Sequence, residues 1–211
     1  MHILIILNAP MPNAARLQQA VSSTDCIIAA DGGANRASEA GIRPDVVVGD
    51  FDSMDNALRQ TWPDTEFVHR PSQYATDFEK ALQLAIERGA ESAQIAGISG
   101  GRFDHQITNL NVMQRFSKQM ALTCIDSDGY GHFVHDRLTF QTVPGQQISL
   151  AAFQKATGIT TSGLKFAWSN GILEWGKNDG QSNEALASEV TIELKSGTLF
   201  VYALWPQGSD R

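Results

Sequence analysis

Short β-rich apolar runs alternate with amphipathic stretches over the first 125 or so residues. The runs are Ile3 to Leu7, Cys26 to Ala30, Val46 to Val48, Glu66 to Val68, Ala93 to Ile98 and Ala121 to Ile125. Ala14 to Val21 and Asn35 to Ala40 read as amphipathic connections between the first of them, and helices are expected between the later ones. This alternation predicts an α/β fold with a mostly parallel sheet flanked by helices. The strongest helix signal covers Asp77 to Arg88, where Phe78, Ala81, Leu82, Ala85 and Ile86 recur at helical spacing. Thr76 and Glu79 form a capping box ahead of it, and Gly89 is a stop signal.

After Asp126 the helical period disappears. Gly129, Gly131, Pro144 and Gly145 punctuate the runs Leu138 to Val143 and Gln147 to Phe153. Gly171 to Trp175, Glu189 to Leu194 and Thr198 to Leu204 are separated by Gly, Asn and Ser clusters that suit turns. A C-terminal all-β sandwich is expected, with domains over residues 1–128 and 129–211.

Charge narrows the choice of partner. The chain has 211 residues, with 16 Lys and Arg against 23 Asp and Glu, a net charge of −7. Such a balance repels a nucleic-acid backbone, so no nucleic-acid partner is expected, while a small phosphorylated ligand is compatible if cations intervene. Ile3 to Leu7 is far too short to span a membrane and has no charged segment before it, so it is read as a buried strand rather than a signal peptide or anchor. Cys26 and Cys124, the only cysteines, each lie in a short apolar run and read as reduced core thiols, which points to the cytoplasm.

Four acidic motifs fall where an apolar run gives way to a polar or glycine-rich turn, the place where open α/β sheets bind ligands. Asp31-Gly32-Gly33-Ala34-Asn35-Arg36 offers glycines that would let backbone N–H groups approach an anion and an arginine to hold a phosphate; taken alone it reads first as an ordinary strand-to-helix turn with a capping aspartate. In Gly49-Asp50-Phe51-Asp52-Ser53 the two carboxylates would point to the same side of an extended segment, about 6.5 Å apart, an arrangement a divalent cation relieves. Gln73-Tyr74-Ala75-Thr76-Asp77 opens the strong helix, so Asp77 either complements the helix terminus or serves as a third metal ligand. Gly100-Gly101-Arg102-Phe103-Asp104-His105 leads into a helix expected to turn Ile107, Leu110 and Met113 inward. Asp104 reads there as an N-cap or as a ligand contact. The phosphate-binding loop, dinucleotide and nucleophile-elbow motifs are missing. His132 and His135 have metal-like spacing but no acidic or cysteine partner pattern, and read as loop residues.

Taken together and in order, these motifs resemble the thiamine pyrophosphokinase family, and Ser162-Gly163-Leu164-Lys165 and Ser182-Asn183-Glu184 extend the resemblance into the second half. The resemblance implies Mg²⁺-dependent transfer of pyrophosphate from ATP to the hydroxyl of thiamine, giving thiamine diphosphate and AMP. It implies that Asp50, Asp52 and Asp77 hold Mg²⁺ and act in catalysis with Asp104. Asp31, Gly32, Gly33, Asn35, Arg36, Gln73, Thr76 and Arg102 would bind ATP, and Gln73, Asp104, Ser182 and Asn183 would meet thiamine. A homodimer is implied as well, the β-sandwich of one chain closing the active cleft of the other. Two departures stand out: Tyr74 replaces a common acidic residue, and Phe166-Ala167-Trp168 replaces a Tyr-Pro-Leu type of ending. Trp168 or Trp175 could stack on an aromatic cation, though rings of this size more commonly fill a core. Either Asp77 or Asp104 could accept the hydroxyl proton. A metal-dependent phosphohydrolase and a non-catalytic nucleotide-binding protein are the competing readings of the same aspartates.

Overall fold

The structure, a computed structural model, describes residues 1–208. It divides into one unit over Met1–Ser127 and a second beginning at Asp128.

In the first unit β1 (His2–Ile6), β2 (Cys26–Ala30), β3 (Val46–Gly49), β4 (Glu66–His69), β5 (Ser92–Ala96) and β6 (Ala121–Ile125) form a sheet in the order β6-β5-β1-β2-β3-β4. Every adjacent pair in that order is parallel. Strands of such a sheet are covered on both faces, and Ile3, Leu4, Ile5 and Ile6 are accordingly inaccessible to solvent. The connections are α1 (Ala14–Ser22), α2 (Gly33–Glu39), α3 (Leu58–Thr61), α4 (Asp77–Glu87) and α5 (Phe103–Phe116). Helix α4 largely follows its periodicity: Phe78, Ala81, Leu82 and Ala85 are buried, Ile86 is half-buried, Leu84 is buried off the expected face, and the Thr76 hydroxyl accepts the Glu79 N–H at 3.2 Å. Helix α5 departs from expectation. Met113 is buried with Val112 and Phe116, but Ile107 is 55% exposed and Phe103 75% exposed. The first turns of α5 border a cleft, and its buried residues fall in its later turns.

The second unit is all β. β7 (Gly129–Val134), β9 (Gln147–Ala151), β12 (Gly180–Glu184) and β14 (Leu199–Leu204) pair antiparallel in the order β12-β9-β14-β7. β8 (Arg137–Gln141), β10 (Ala156–Ser162), β11 (Gly171–Leu173) and β13 (Glu189–Glu193) pair in the order β11-β10-β13-β8. Ile148, Leu150, Leu199, Val201 and Ala203 join Ile159, Val190 and Ile192 in one apolar core. Strands β7, β10 and β12 had no clear apolar run to announce them: β7 carries two glycines, β10 is threonine-rich and β12 reads Gly-Gln-Ser-Asn-Glu. His132 therefore lies within β7 rather than in a loop, and among the described residues neither it nor His135 joins a possible metal-binding group. Trp168 packs partly buried against the core, whereas Trp175 is 67% exposed beside Phe153, with ring centroids 5.4 Å apart. Neither Cys26 nor Cys124 forms a disulfide; Cys124 is buried as expected, whereas Cys26 is only half-buried. No helix among the described residues is long and apolar enough to cross a membrane.

Candidate active site

The site grows from strand register. Pairing of Ala30 with Val48 sets the ends of β2 and β3 level, and the Asp31 N–H donates to the Val48 carbonyl at 2.9 Å. Asp31 then lies against Gly49, where an added Cβ would come within 2.6 Å of the Asp31 Cβ; glycine is what permits the approach. Asp31 adopts a left-handed φ of 42°, a conformation aspartate tolerates better than most residues, and it is completely buried. Its Oδ2 accepts the Ser53 N–H at 3.2 Å, while Oδ1 is buried with no hydrogen-bond partner. Burial, together with the nearby Asp77 and Asp50 charges, pushes its carboxyl up to about 6.

Beyond β3 the chain turns sharply, because Phe51 has φ 67°. The Phe51 ring stacks on His69 with centroids 5.5 Å apart and meets Phe67 edge-on, and the Arg59 guanidinium sits 4.3 Å above it. These contacts hold a turn that corrects the expectation of an extended Asp50-Phe51-Asp52 segment. Asp52 instead bonds locally: its N–H donates to Asp50 Oδ1 at 3.4 Å and its Oδ1 accepts the Ser53 hydroxyl at 2.8 Å. Asp50 Oδ2 accepts Gln73 Nε2 at 2.5 Å. Burial pushes the Asp50 carboxyl up, but the hydrogen bond from Gln73, the Asp52 N–H and the Lys80 charge outweigh it and hold the group below the usual carboxylate range.

Asp77, the first residue of α4, completes the cluster. A carboxylate oxygen from each of Asp31, Asp50 and Asp77 lies within 4.8 Å of the other two. The expected trio of Asp50, Asp52 and Asp77 is thus gathered with Asp31 in the place of Asp52, because the turn at Phe51 breaks the side-by-side geometry and β-strand register supplies another carboxylate. An all-oxygen set of this kind suits a hard divalent cation. Lys80, which sequence reasoning passed over, is 3% exposed and donates to Asp77 Oδ1 at 2.9 Å. Its only sequence signal is the three-residue spacing from Asp77 on one helix.

A cleft of about 730 Å³ in the first unit is lined by Asp50 and Asp77 of this cluster, whereas the completely buried Asp31 is not part of its lining. Of the expected residues, Gly32, Asp50, Asp52, Gln73, Thr76, Asp77, Arg102 and Asp104 line it. Arg102 forks onto Asp104 at 3.1 and 2.6 Å, and this hydrogen bond holds the Asp104 carboxyl low. Gly33, Asn35 and Arg36 are not among its lining. Gly33 lies under the Ile6 carbonyl, where a Cβ would come within 2.1 Å, so helix-to-strand packing requires this glycine. Asn35 donates to the Ser53 carbonyl at 2.9 Å and accepts the Asp55 N–H at 2.8 Å, bracing the Asp50 loop. Arg36 bonds Asn8 Oδ1 at 3.3 Å and Glu39 at 2.9 Å.

Ser182 and Asn183 belong to the second unit. Ser182 is exposed on β12 with φ 56°, where the register with β9 shifts. Asn183 is buried; its Oδ1 accepts from Phe166 N at 3.0 Å and Glu184 N at 2.9 Å, and its Nδ2 donates to the Phe166 carbonyl at 2.8 Å. Its amide ties β12 to the 163–167 segment through both its oxygen and its nitrogen.

Residues 17–125 match a family model described as "Thiamin pyrophosphokinase, catalytic domain", and residues 136–199 match one described as "Thiamin pyrophosphokinase, vitamin B1 binding domain". The chain is 28% identical over 169 residues to Thiamin pyrophosphokinase 1 of Caenorhabditis elegans, covering 74% of this chain and 69% of that protein. It is 27% identical over 181 residues to thiamine pyrophosphokinase of Bacillus subtilis, covering 82% and 85% of the two chains. Among solved structures, thiamine pyrophosphokinase from Bacillus subtilis superimposes with a TM-score of 0.84 at 24% identity, covering 97% of this chain and 99% of that one. The thiamin pyrophosphokinase from Candida albicans does so with a TM-score of 0.85 at 16% identity, covering 97% and 89%.

Proposed function

The chain belongs to the thiamin pyrophosphokinase family, and on that premise we propose that it transfers a pyrophosphoryl group from ATP to the hydroxyl of thiamine, with Mg²⁺ held by Asp31, Asp50 and Asp77. The observation that carries the metal assignment is the buried Asp31 carboxylate, whose Oδ1 has no partner although Asp50 and Asp77 crowd the same group. An unpaired buried polar atom is costly, and three carboxylates with oxygens within 4.8 Å of one another repel; a hard divalent cation relieves both.

In the reaction the thiamine hydroxyl oxygen attacks the β-phosphorus of ATP. The bond between that phosphorus and the oxygen bridging to the α-phosphate breaks, AMP departs with the electron pair, and the hydroxyl proton passes to a carboxylate. Such transfers need positioning and charge stabilisation rather than a protein nucleophile. Bound Mg²⁺ supplies neutralisation of the polyphosphate charge. The chain's own residues do the rest. Gln73 orients Asp50 through its 2.5 Å hydrogen bond. Arg102 offers the cleft a cation and keeps Asp104 ionised. Asp104 or Asp77 takes the proton. The β unit recognises thiamine, with the exposed Ser182 as its contact. The same reading carries a cytoplasmic homodimer in which the β unit of one copy completes the cleft of the other.

The test is to incubate purified protein with thiamine, ATP and Mg²⁺, and to separate the products by chromatography beside a chelator control. AMP and thiamine diphosphate should form in equal amounts only when Mg²⁺ is present. Free phosphate with unmodified thiamine would replace the transferase reading by a hydrolytic one.

A further inference from the structure

A lysine ammonium removed from water is expensive unless anions compensate it. Lys80, 3% exposed, has two such anions: Asp77 Oδ1 at 2.9 Å and Asp50 Oδ2 at 4.0 Å. These are two of the three carboxylates of the acidic cluster, so a positive charge is built into the neighbourhood a divalent cation would occupy. The third, Asp31, keeps its buried Oδ1 without a partner, so the ammonium does not complete the cluster. Lys80 also lines the cleft.

We propose that Lys80 is a positioning residue that acts as a resident cation: it holds Asp77 and Asp50 in place before any ligand arrives and weakens the cluster's hold on a free divalent ion. The inference rests on the metal-assisted reading above and deepens it. A +2 ion entering the cluster must share Asp77 with the ammonium and is repelled by it at short range in a poorly screened site. The loss is offset when a polyphosphate adds its own negative charge. Cation and nucleotide would therefore enter together rather than the cation alone.

The experiment titrates Mn²⁺ into the nucleotide-free, full-length protein and follows the free Mn²⁺ signal by electron paramagnetic resonance, for the natural chain and for Lys80→Met, Lys80→Gln and Lys80→Arg. Lys80→Met and Lys80→Gln should bind Mn²⁺ at least tenfold more tightly, and Lys80→Arg should stay within about threefold of the natural chain. Equal or weaker binding by the two neutral variants would overturn the proposal, since a lysine that merely fills space or donates a hydrogen bond would not restrain a free cation. If Lys80→Met fails to fold, Lys80→Gln, which keeps a donor for Asp77, decides alone. Failure of the underlying reading looks different: no Mn²⁺ bound by any of the four proteins removes the metal site itself and the proposal with it.

Discussion

In the α/β unit the buried Asp31 keeps an oxygen unpaired beside two other carboxylates, whereas in the β unit the buried Asn183 has its amide oxygen and nitrogen bonded to Phe166 and Glu184. Both residues belong to motifs that carry the family resemblance, yet their physical situations are opposite. A buried group left unsatisfied is a place where a ligand lowers the free energy, whereas a hydrogen-bonded one helps hold the fold.

The contrast is broken most directly at the cluster. Asp77→Asn should lower turnover about a hundredfold or more, the scale for removing a charge-stabilising group from a transition state, with an unchanged far-ultraviolet circular dichroism spectrum. Turnover within a few-fold of the natural chain would remove Asp77 from the site. In the β unit, Asn183→Ala should act on stability, leaving the Phe166 amide and carbonyl and the Glu184 N–H without their partner at a cost of about 1–3 kcal/mol, read as a lower Tm by calorimetry. An unaltered Tm with a raised KM for thiamine would mark Asn183 as a ligand contact instead.

A smaller effect separates the two regions by pH. The folded protein raises the Asp31 carboxyl to about 6 from an ordinary 3.8, so between those values the native state binds more protons than the unfolded one. Its contribution to stability is therefore present below about 4 and lost as pH rises through about 6. In cation-free buffer, Asp31→Asn should gain on the natural chain by on the order of 1–2 kcal/mol between pH 4 and pH 7. Denaturant melts at the two pH values measure it, and a gap that does not change with pH would refute the assignment. Smallest of all, Tyr74→Ala should move stability by less than about 0.5 kcal/mol, since the side chain is fully exposed.

Local pattern carried much of the fold. The apolar period over α4, its threonine cap and the runs that became β2 and β6 are legible because each encodes its own backbone geometry within a few residues. Strand β12 was not legible: Gly-Gln-Ser-Asn-Glu has no apolar side chain, and it becomes a strand only because β9 offers a partner. Ile107 kept the helical period of a buried residue and is exposed, since periodicity states which residues share a face and not what covers that face.

The same division runs through the candidate site. The sequence by itself determined the class of the fold, the ordered acidic motifs and the aspartates as candidates for chemistry, because residue type and short spacing are local properties. Tertiary structure alone decided that Asp31, rather than Asp52, gathers with Asp50 and Asp77, that Lys80 is buried among them, and that Asn35 and Asn183 make bracing hydrogen bonds within the chain. Those outcomes depend on the pairing of Ala30 with Val48 and on a left-handed turn at Phe51. Both are long-range or strained features, fixed by packing between segments that no local pattern relates.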